Sequence, residues 1–456
     1  MKSLSTSILL LCLVLVQCSA QEIKPAGNTQ NAIVFTSVNV IPMDSDKVLE
    51  NQTVLVRDGK IVQMGSMKFK LPEGTVVIDG KGKYLIPGLA EIHAHVPPVD
   101  NLDPMKEVLL LYAFNGVTTI RGMLGHPRHL ELRSKIQSGE IMGPRFYTSG
   151  PSFNGQTVTS AEVGANMVRQ QKQAGYDFLK LHPGITKENF AAVAQTAKEV
   201  GIPFAGHVSF DVGVWRAIDA GYASIDHMDG FVESLVPGVE NMQENEMGLF
   251  GMFVAKKADE SRIPKLVNAL RDKHIWVVPT QALAERWMTP EKDAEGFRAE
   301  PEMKYMNKQT LDNWVNVKKN LMSNPQYNAD EMRNYIKLRR KLIYECNKNG
   351  VGLLLGSDAP QIFNVPGFSL HHELKYMVDA GLTPYEALRM GTVNVGKYFN
   401  RPDIGVIKVG AVSDLILLNG NPLKDIQQTT NIEGVMLGNK WLPKAYIEQE
   451  LKKLVK

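Results

Sequence analysis

Cysteine is scarce, with three in 456 residues. That excludes a disulfide-stapled scaffold and a cysteine-rich zinc module. Charge of either sign is not in excess: 51 Lys and Arg against 48 Asp and Glu leave a formal +3 at pH 7. Such balance gives no electrostatic footprint for nucleic acid or an acidic membrane surface. Long apolar runs are also missing. The N-terminal stretch Ile8 to Val16 has nine residues, well short of the ~20 needed to span a bilayer. With 44% hydrophobic and 22% charged residues, collagen, low-complexity disorder and a polytopic membrane protein are excluded. A globular chain with a small-molecule or peptide partner remains, compatible with a homo-oligomer.

What is present begins with a distinctive start. Lys2, the apolar run and the small residues Cys18 and Ala20 before polar Gln21 describe a cleaved secretory signal over residues 1–20. The mature chain is then expected in a periplasm or outside the cell, without a transmembrane segment. Lipid anchoring at Cys18 is the lesser alternative, because Gln17 is bulkier than the small residue usual before such a cysteine. Cleavage leaves Cys346 alone, in the helical-looking stretch Leu342 to Cys346, where a packed thiol is expected.

Three textures follow. Residues 28–86 hold strand-like runs around the Asp58-Gly59 and Asp79-Gly80 turns, and residues 400–450 repeat the style around Gly438-Asn439. Neither end has enough strands for its own core, so the two are expected to pair into one small β-sandwich. Between them, residues 87–399 alternate short apolar strands with amphipathic helices. The strand candidates are 88–95, 116–123, 144–149, 178–182, 204–208, 223–227, 275–279 and 352–356. Eight β-then-α units predict an α/β fold, a (β/α)8 TIM barrel. A doubly wound sheet is disfavoured, because no glycine-rich phosphate turn follows the first strand. The stretch 281–350 exceeds one crossover. Its Met288, Met303, Tyr305, Met306, Trp314 and Met322 suit both a lid at the catalytic face and the core of an extra helical insertion.

Histidines fall where such a barrel keeps its chemistry. His93 and His95 are two apart on the first strand, so both point the same way. His207 ends the fifth strand, His227 the sixth, and Asp358 follows the eighth, the neighbour of the first in a closed barrel. Imidazoles and a carboxylate are standard ligands for Zn2+ and similar ions. Each position alone is weak evidence, whereas the set at one end of one barrel is persuasive. Lys180 sits among apolar residues of the fourth strand. It reads either as a lysine snorkelling to the rim or as a neutral amine that captures CO2 to become a carbamate. Arg121, ending strand two, suits a substrate carboxylate or a structural ion pair. His182 and Thr280 are further candidates for substrate contact. His371 and His372 read as caps or surface residues.

The chain resembles the amidohydrolase superfamily, most closely the branch of imidazolonepropionase-like proteins and Xaa-Pro or Xaa-Arg dipeptidases. The resemblance rests on the stretches Leu85 to His95, Gly116 to Arg121, Ala205 to His207, Ile225 to His227, Gly356 to Pro360, Ala380 to Leu388 and Ser413 to Leu418. It departs at Gly122, where relatives often have Asp. The resemblance implies two divalent ions, usually zinc. His93, His95 and Asp358 would hold one, His207 and His227 the other, and carbamylated Lys180 would bridge them. It also implies hydrolysis of C–N amide bonds in small substrates, of dipeptide or N-acyl amino acid type, by a metal-bridging hydroxide. Asp358 would carry the proton from nucleophile to leaving nitrogen. The alternative is a mononuclear cyclic-amide hydrolase or deaminase with unmodified Lys180.

Overall fold

The computed structural model describes residues 32–66 and 70–456. The expected signal segment and Cys18 lie outside them. Among the described residues no helix is long and apolar enough to cross a membrane.

Five strands open the chain: β1 (Ile33–Val40), β2 (Leu49–Arg57), β3 (Lys60–Gly65), β4 (Val76–Asp79) and β5 (Tyr84–Pro87). Seven more alternate with helices: β6 (Leu89–Ala94), β7 (Val117–Gly122), β8 (Arg145–Thr148), β9 (Leu179–Leu181), β10 (Phe204–Gly206), β11 (Ser224–Asp226) and β12 (Trp276–Val278). Three follow the last of these units: β13 (Leu415–Leu418), β14 (Ile432–Leu437) and β15 (Lys440–Pro443). The helices start and stop on signals the sequence carries. Ser160 and Thr186 accept backbone N–H groups as N-caps, and Gly175 and Gly201 close the same two helices with φ of 86° and 66°. Only glycine enters that left-handed region without cost.

The terminal strands form one eight-stranded sheet, ordered β15-β14-β13-β5-β1-β2-β3 with β4 added beside β1. The expected sandwich is thus a single hydrogen-bonded sheet. It is nevertheless not flat. Phe35 on β1 and Trp441 on β15 stand four strands apart, about 19 Å in a flat sheet, yet their rings meet at 5.3 Å. The sheet curls, and its ends enclose an apolar cluster that includes Ile33, Val54, Leu415 and Met436.

The central strands are parallel and lie in two ladders, β6-β7-β8 and β9-β10-β11-β12. Isolated bridges link them: Ser149 to Phe178 on one side, then Val277 to Leu353 and Ala94 to Ala359 on the other. The eighth expected strand, 352–356, therefore contributes bridges but no ladder. Its hydrogen bonds still run both ways, from Leu354 N to Val277 O at 2.9 Å and from Ile92 N to Leu355 O at 2.8 Å. The insertion folds as helices, chiefly Gln281–Met288, Lys308–Met322 and Ala329–Lys348. Met288, Met303, Tyr305 and Trp314 are buried in the main core. Lys318 is fully buried as well, and its ammonium donates to the carbonyls of Arg286, Trp287 and Thr289, the end of the first of these helices. Cys346 is a packed thiol, pushed up to about 12 by burial.

Candidate active site

The C-terminal ends of the parallel strands bring six polar side chains together. His93 sits near the end of β6, 1% exposed. Its Nε2 lies 3.4 Å from Asp358 Oδ1 and 3.5 Å from Lys180 Nζ. His95 Nε2 is 3.0 Å from the same carboxylate oxygen. The His227 ring lies 4.4 Å from that of His93 and 4.2 Å from that of His207. Lys180 is fully buried on β9, and its path depends on Gly206. A Cβ there would stand 2.8 Å from Lys180 Cδ and 3.1 Å from Nζ.

Each imidazole is held by a neighbour. His93 Nδ1 donates to Asp226 at 2.8 Å, His207 Nδ1 to Asp229 at 2.7 Å, and His227 Nδ1 pairs with Thr280 Oγ1 at 2.9 Å. Such bonds fix ring orientation and leave Nε2 as the free nitrogen. Burial, reinforced by the Lys180 charge, holds His95 down at about 3 and His93 and His207 well below the usual histidine range. Burial likewise lowers His227. All four are neutral, the form a metal requires. Burial also lowers Lys180 to about 8, against the pull of Asp226 and Asp358, and raises Asp358 to about 8.

The arrangement fits a divalent cation. Nine buried side-chain polar atoms have no hydrogen-bond partner among the described residues, and three converge here: His95 Nε2, His227 Nε2 and Asp358 Oδ1. Native interiors seldom leave such atoms unmatched. His93, His227 and Asp358 also offer ligand atoms within 4.8 Å of one another. Backbone strain gathers at the same place. His227, Met228, Thr280 and Asp358 have φ between 47° and 65°, a region that costs non-glycine residues energy and clusters at functional sites.

Three expected substrate contacts fall differently. Arg121 makes the structural ion pair, with Asp226. It is fully buried, donating to Ile92 O, Ser224 Oγ, Tyr398 Oη and both oxygens of Asp226. It acts through Asp226 on His93. Thr280 stands behind His227, as its orienting partner. His182 is beside His207, with rings 5.2 Å apart. His371, expected at a cap or on the surface, is buried between Thr429 Oγ1 and Asn115 O.

Several supporting residues escaped sequence reasoning. Asp226 and Asp229 flank His227, and an acid so close to a ligand-type histidine was the available signal. Glu91 accepts from His93 N, Ser357 N and Ser357 Oγ, with burial raising it to about 8. Arg339, from the insertion, donates to His227 O at 2.9 Å and Pro279 O at 2.7 Å. It braces two strand ends from below.

Known proteins share parts of this pattern. In solved structures the fold recurs in a putative prolidase from Bifidobacterium longum (TM-score 0.69, 21% identity, 93% of this chain and 99% of that one). It recurs in bottromycin amidohydrolase (0.71, 20%, 92% and 89%). A Xaa-Pro dipeptidase with methionine in its active site is similar too (0.66, 18%, 90% and 100%). At these identities the likeness is one of fold. Curated relatives match over short stretches. An adenine deaminase of Clostridium botulinum is 35% identical over 77 residues, 17% of this chain and 12% of the relative. A 5'-deoxyadenosine deaminase of Methanosarcina acetivorans is 39% identical over 64 residues, 14% of each. The chain thus matches less than one sixth of the length of these relatives. The amidohydrolase family profile, in contrast, covers residues 84–442 in one match. The chain belongs to the amidohydrolase family.

Proposed function

We propose that the protein is a metal-dependent amidohydrolase that cleaves C–N amide bonds of small substrates, dipeptides or N-acyl amino acids. The observation that carries this reading is the buried cluster of His93, His227 and Asp358, whose ligand atoms lie within 4.8 Å of one another, with His95 Nε2 3.0 Å from the same carboxylate. His93, His95 and Asp358 would hold one ion and His207 and His227 a second, both zinc. Lys180, its amine joined to CO2 with loss of a proton, would supply a carbamate as a further anionic ligand between the two sets. The site stands at the mouth of a (β/α)8 barrel spanning 87–399, with the bridges at 352–359 as its seam and the terminal segments as a second unit. The mature chain works in a periplasm or outside the cell.

When bound, such ions polarise a carbonyl oxygen and lower the pKa of water. The chain's own groups do the rest. Asp226, Asp229 and Thr280 fix the three imidazoles, so no reorganisation is needed during reaction. Asp358 Oδ1, without a hydrogen-bond partner of its own, takes the proton of the attacking water and returns it to the departing nitrogen. Burial of His93, Asp358 and His227 keeps bulk water from the proton's path.

A second reading, a mononuclear cyclic-amide hydrolase or deaminase, is favoured by the short deaminase matches. Metal analysis separates the two, with two ions per chain expected here and one in the alternative. Screening dipeptides and N-acyl amino acids against zinc-reconstituted protein in bicarbonate buffer tests the substrate class. Turnover confined to imidazolone-type rings or aminopurines overturns it. Lys180→Ala is expected to abolish turnover and release metal, with partial rescue by short-chain carboxylic acids. Unchanged kinetics would remove the bridge from the reading.

A further inference from the structure

A cavity of about 440 Å³ opens beside the candidate metal ligands, and His207, Asp229 and Phe250 belong to its wall. The remaining wall has a definite character. Nine large hydrophobic side chains are exposed among the described residues, and three of them, Phe210, Trp215 and Leu249, stand around this one cavity. Concentrated exposed apolar surface beside a polar centre marks a place for an apolar ligand group. Phe250 closes the inner end. Its ring stacks on His227 at 5.3 Å and 11°, held by a left-handed backbone (φ 55°) between Gly248 and Gly251, both also at positive φ.

Acids outnumber bases among the ionisable groups of the wall. Glu233, Glu240 and Glu244 line it, none in an ion pair among the described residues, and Glu233 Oε2 is buried with no donor. Lys187 and Arg216 are the basic residues of the lining, fewer than the acids. Arg216 donates to the backbone carbonyls of Asp211 and Val212, and Lys187 lies beside Glu188 at 3.9 Å. A carboxylate entering here meets more acids than bases, which is discrimination by repulsion.

Resting on the amide-hydrolase reading, we propose that this cavity receives the acyl half of the substrate as a bulky apolar group. Phe250 is the wall against which the group packs. The carboxylate-bearing amine half lies outside, on the other side of the ligand cluster. The geometry therefore sets both the orientation of the scissile bond and a preference for large apolar acyl groups.

Two matched series test this. In the first, alanine is constant and the acyl group is acetyl, butanoyl, hexanoyl, phenylacetyl or succinyl. In the second, acetyl is constant and the amino acid is glycine, leucine or phenylalanine. Each buried methylene is worth roughly fourfold, so kcat/KM should rise at least tenfold from acetyl to phenylacetyl. Succinyl should fall at least tenfold below butanoyl, and the second series should vary little. Val239→Trp, filling the cavity, should bring the phenylacetyl-to-acetyl ratio towards one, and Glu233→Gln should narrow the butanoyl-to-succinyl gap. A dependence on amine size instead, or ratios unmoved by both variants, overturns the proposal while leaving amide hydrolysis standing. If neither series nor any dipeptide is cleaved, the function reading fails, and the cavity is judged by calorimetry. Phenylacetamide should then bind at least tenfold tighter than acetamide, with the margin lost in Val239→Trp. Equal affinities overturn it.

Discussion

The two sides of the ligand cluster are built differently. On the inner side His93, His227 and Asp358 are 1%, 1% and 3% exposed. The two histidines are propped by groups from several elements: Arg121 on β7 through Asp226 for His93, and Thr280 after β12 and Arg339 from the insertion for His227. On the outer side the His95 and His207 side chains are 17% and 15% exposed, and His207 is held by Asp229 at Nδ1 and by Tyr222 at its carbonyl. Many interlocking partners give a fixed geometry, whereas fewer partners and an open wall leave room for substrates of different shape. Rigidity is concentrated where the proposed function has the proton moved and relaxed where it has the substrate admitted.

Substitutions graded across this divide should show it. Asp358→Ala should have the largest effect, a loss in kcat of about a hundred- to ten-thousandfold, with metal content falling in elemental analysis. Retained turnover would dissolve the distinction. Arg121→Met leaves Asp226 buried without its cation and should lower unfolding free energy by ~3–5 kcal/mol in urea titrations. An unchanged midpoint would mean that the inner network carries no strength. Asp229→Asn acts on the outer side, with a drop in metal affinity of about ten- to a hundredfold in chelator competition and little change in stability. Thr280→Val removes one hydrogen bond to His227, about 1 kcal/mol, and roughly fivefold weaker metal retention should follow. A larger loss than that of Asp229→Asn would invert the order of the two sides.

The sequence revealed the ligand-type residues better than their supports. His93 and His95 declare themselves by spacing two on a strand, and His207, His227 and Asp358 by standing at strand ends. Period and position are local properties, readable along the chain. Arg121 was ambiguous because its role depends on Asp226, 105 residues away, and no local pattern couples them. Arg339 was invisible for the same reason, since its partners lie on two strands far upstream. The terminal strands were legible as strands and as a pair of segments, but not as one curled sheet. Curl arises from twist and from side-chain contacts such as Phe35 on Trp441. The eighth strand was recognisable from Gly352 to Gly356, while its reduction to bridges reflects local geometry that apolar pattern does not encode. Phe250 gave no signal, because a lone aromatic in a glycine-flanked loop is commonplace.

The terminal sheet imposes an order on assembly. Pro87 on β5 pairs with Leu415 on β13, so one flank of β5 stays unmatched until synthesis has passed every parallel strand of the central region. The latter can collapse while the ribosome is still working. The sheet cannot, and its uncovered edge is a template for association between nascent chains. Contacts of such sequence separation slow refolding, and truncation before β13 would make that vulnerable interval permanent.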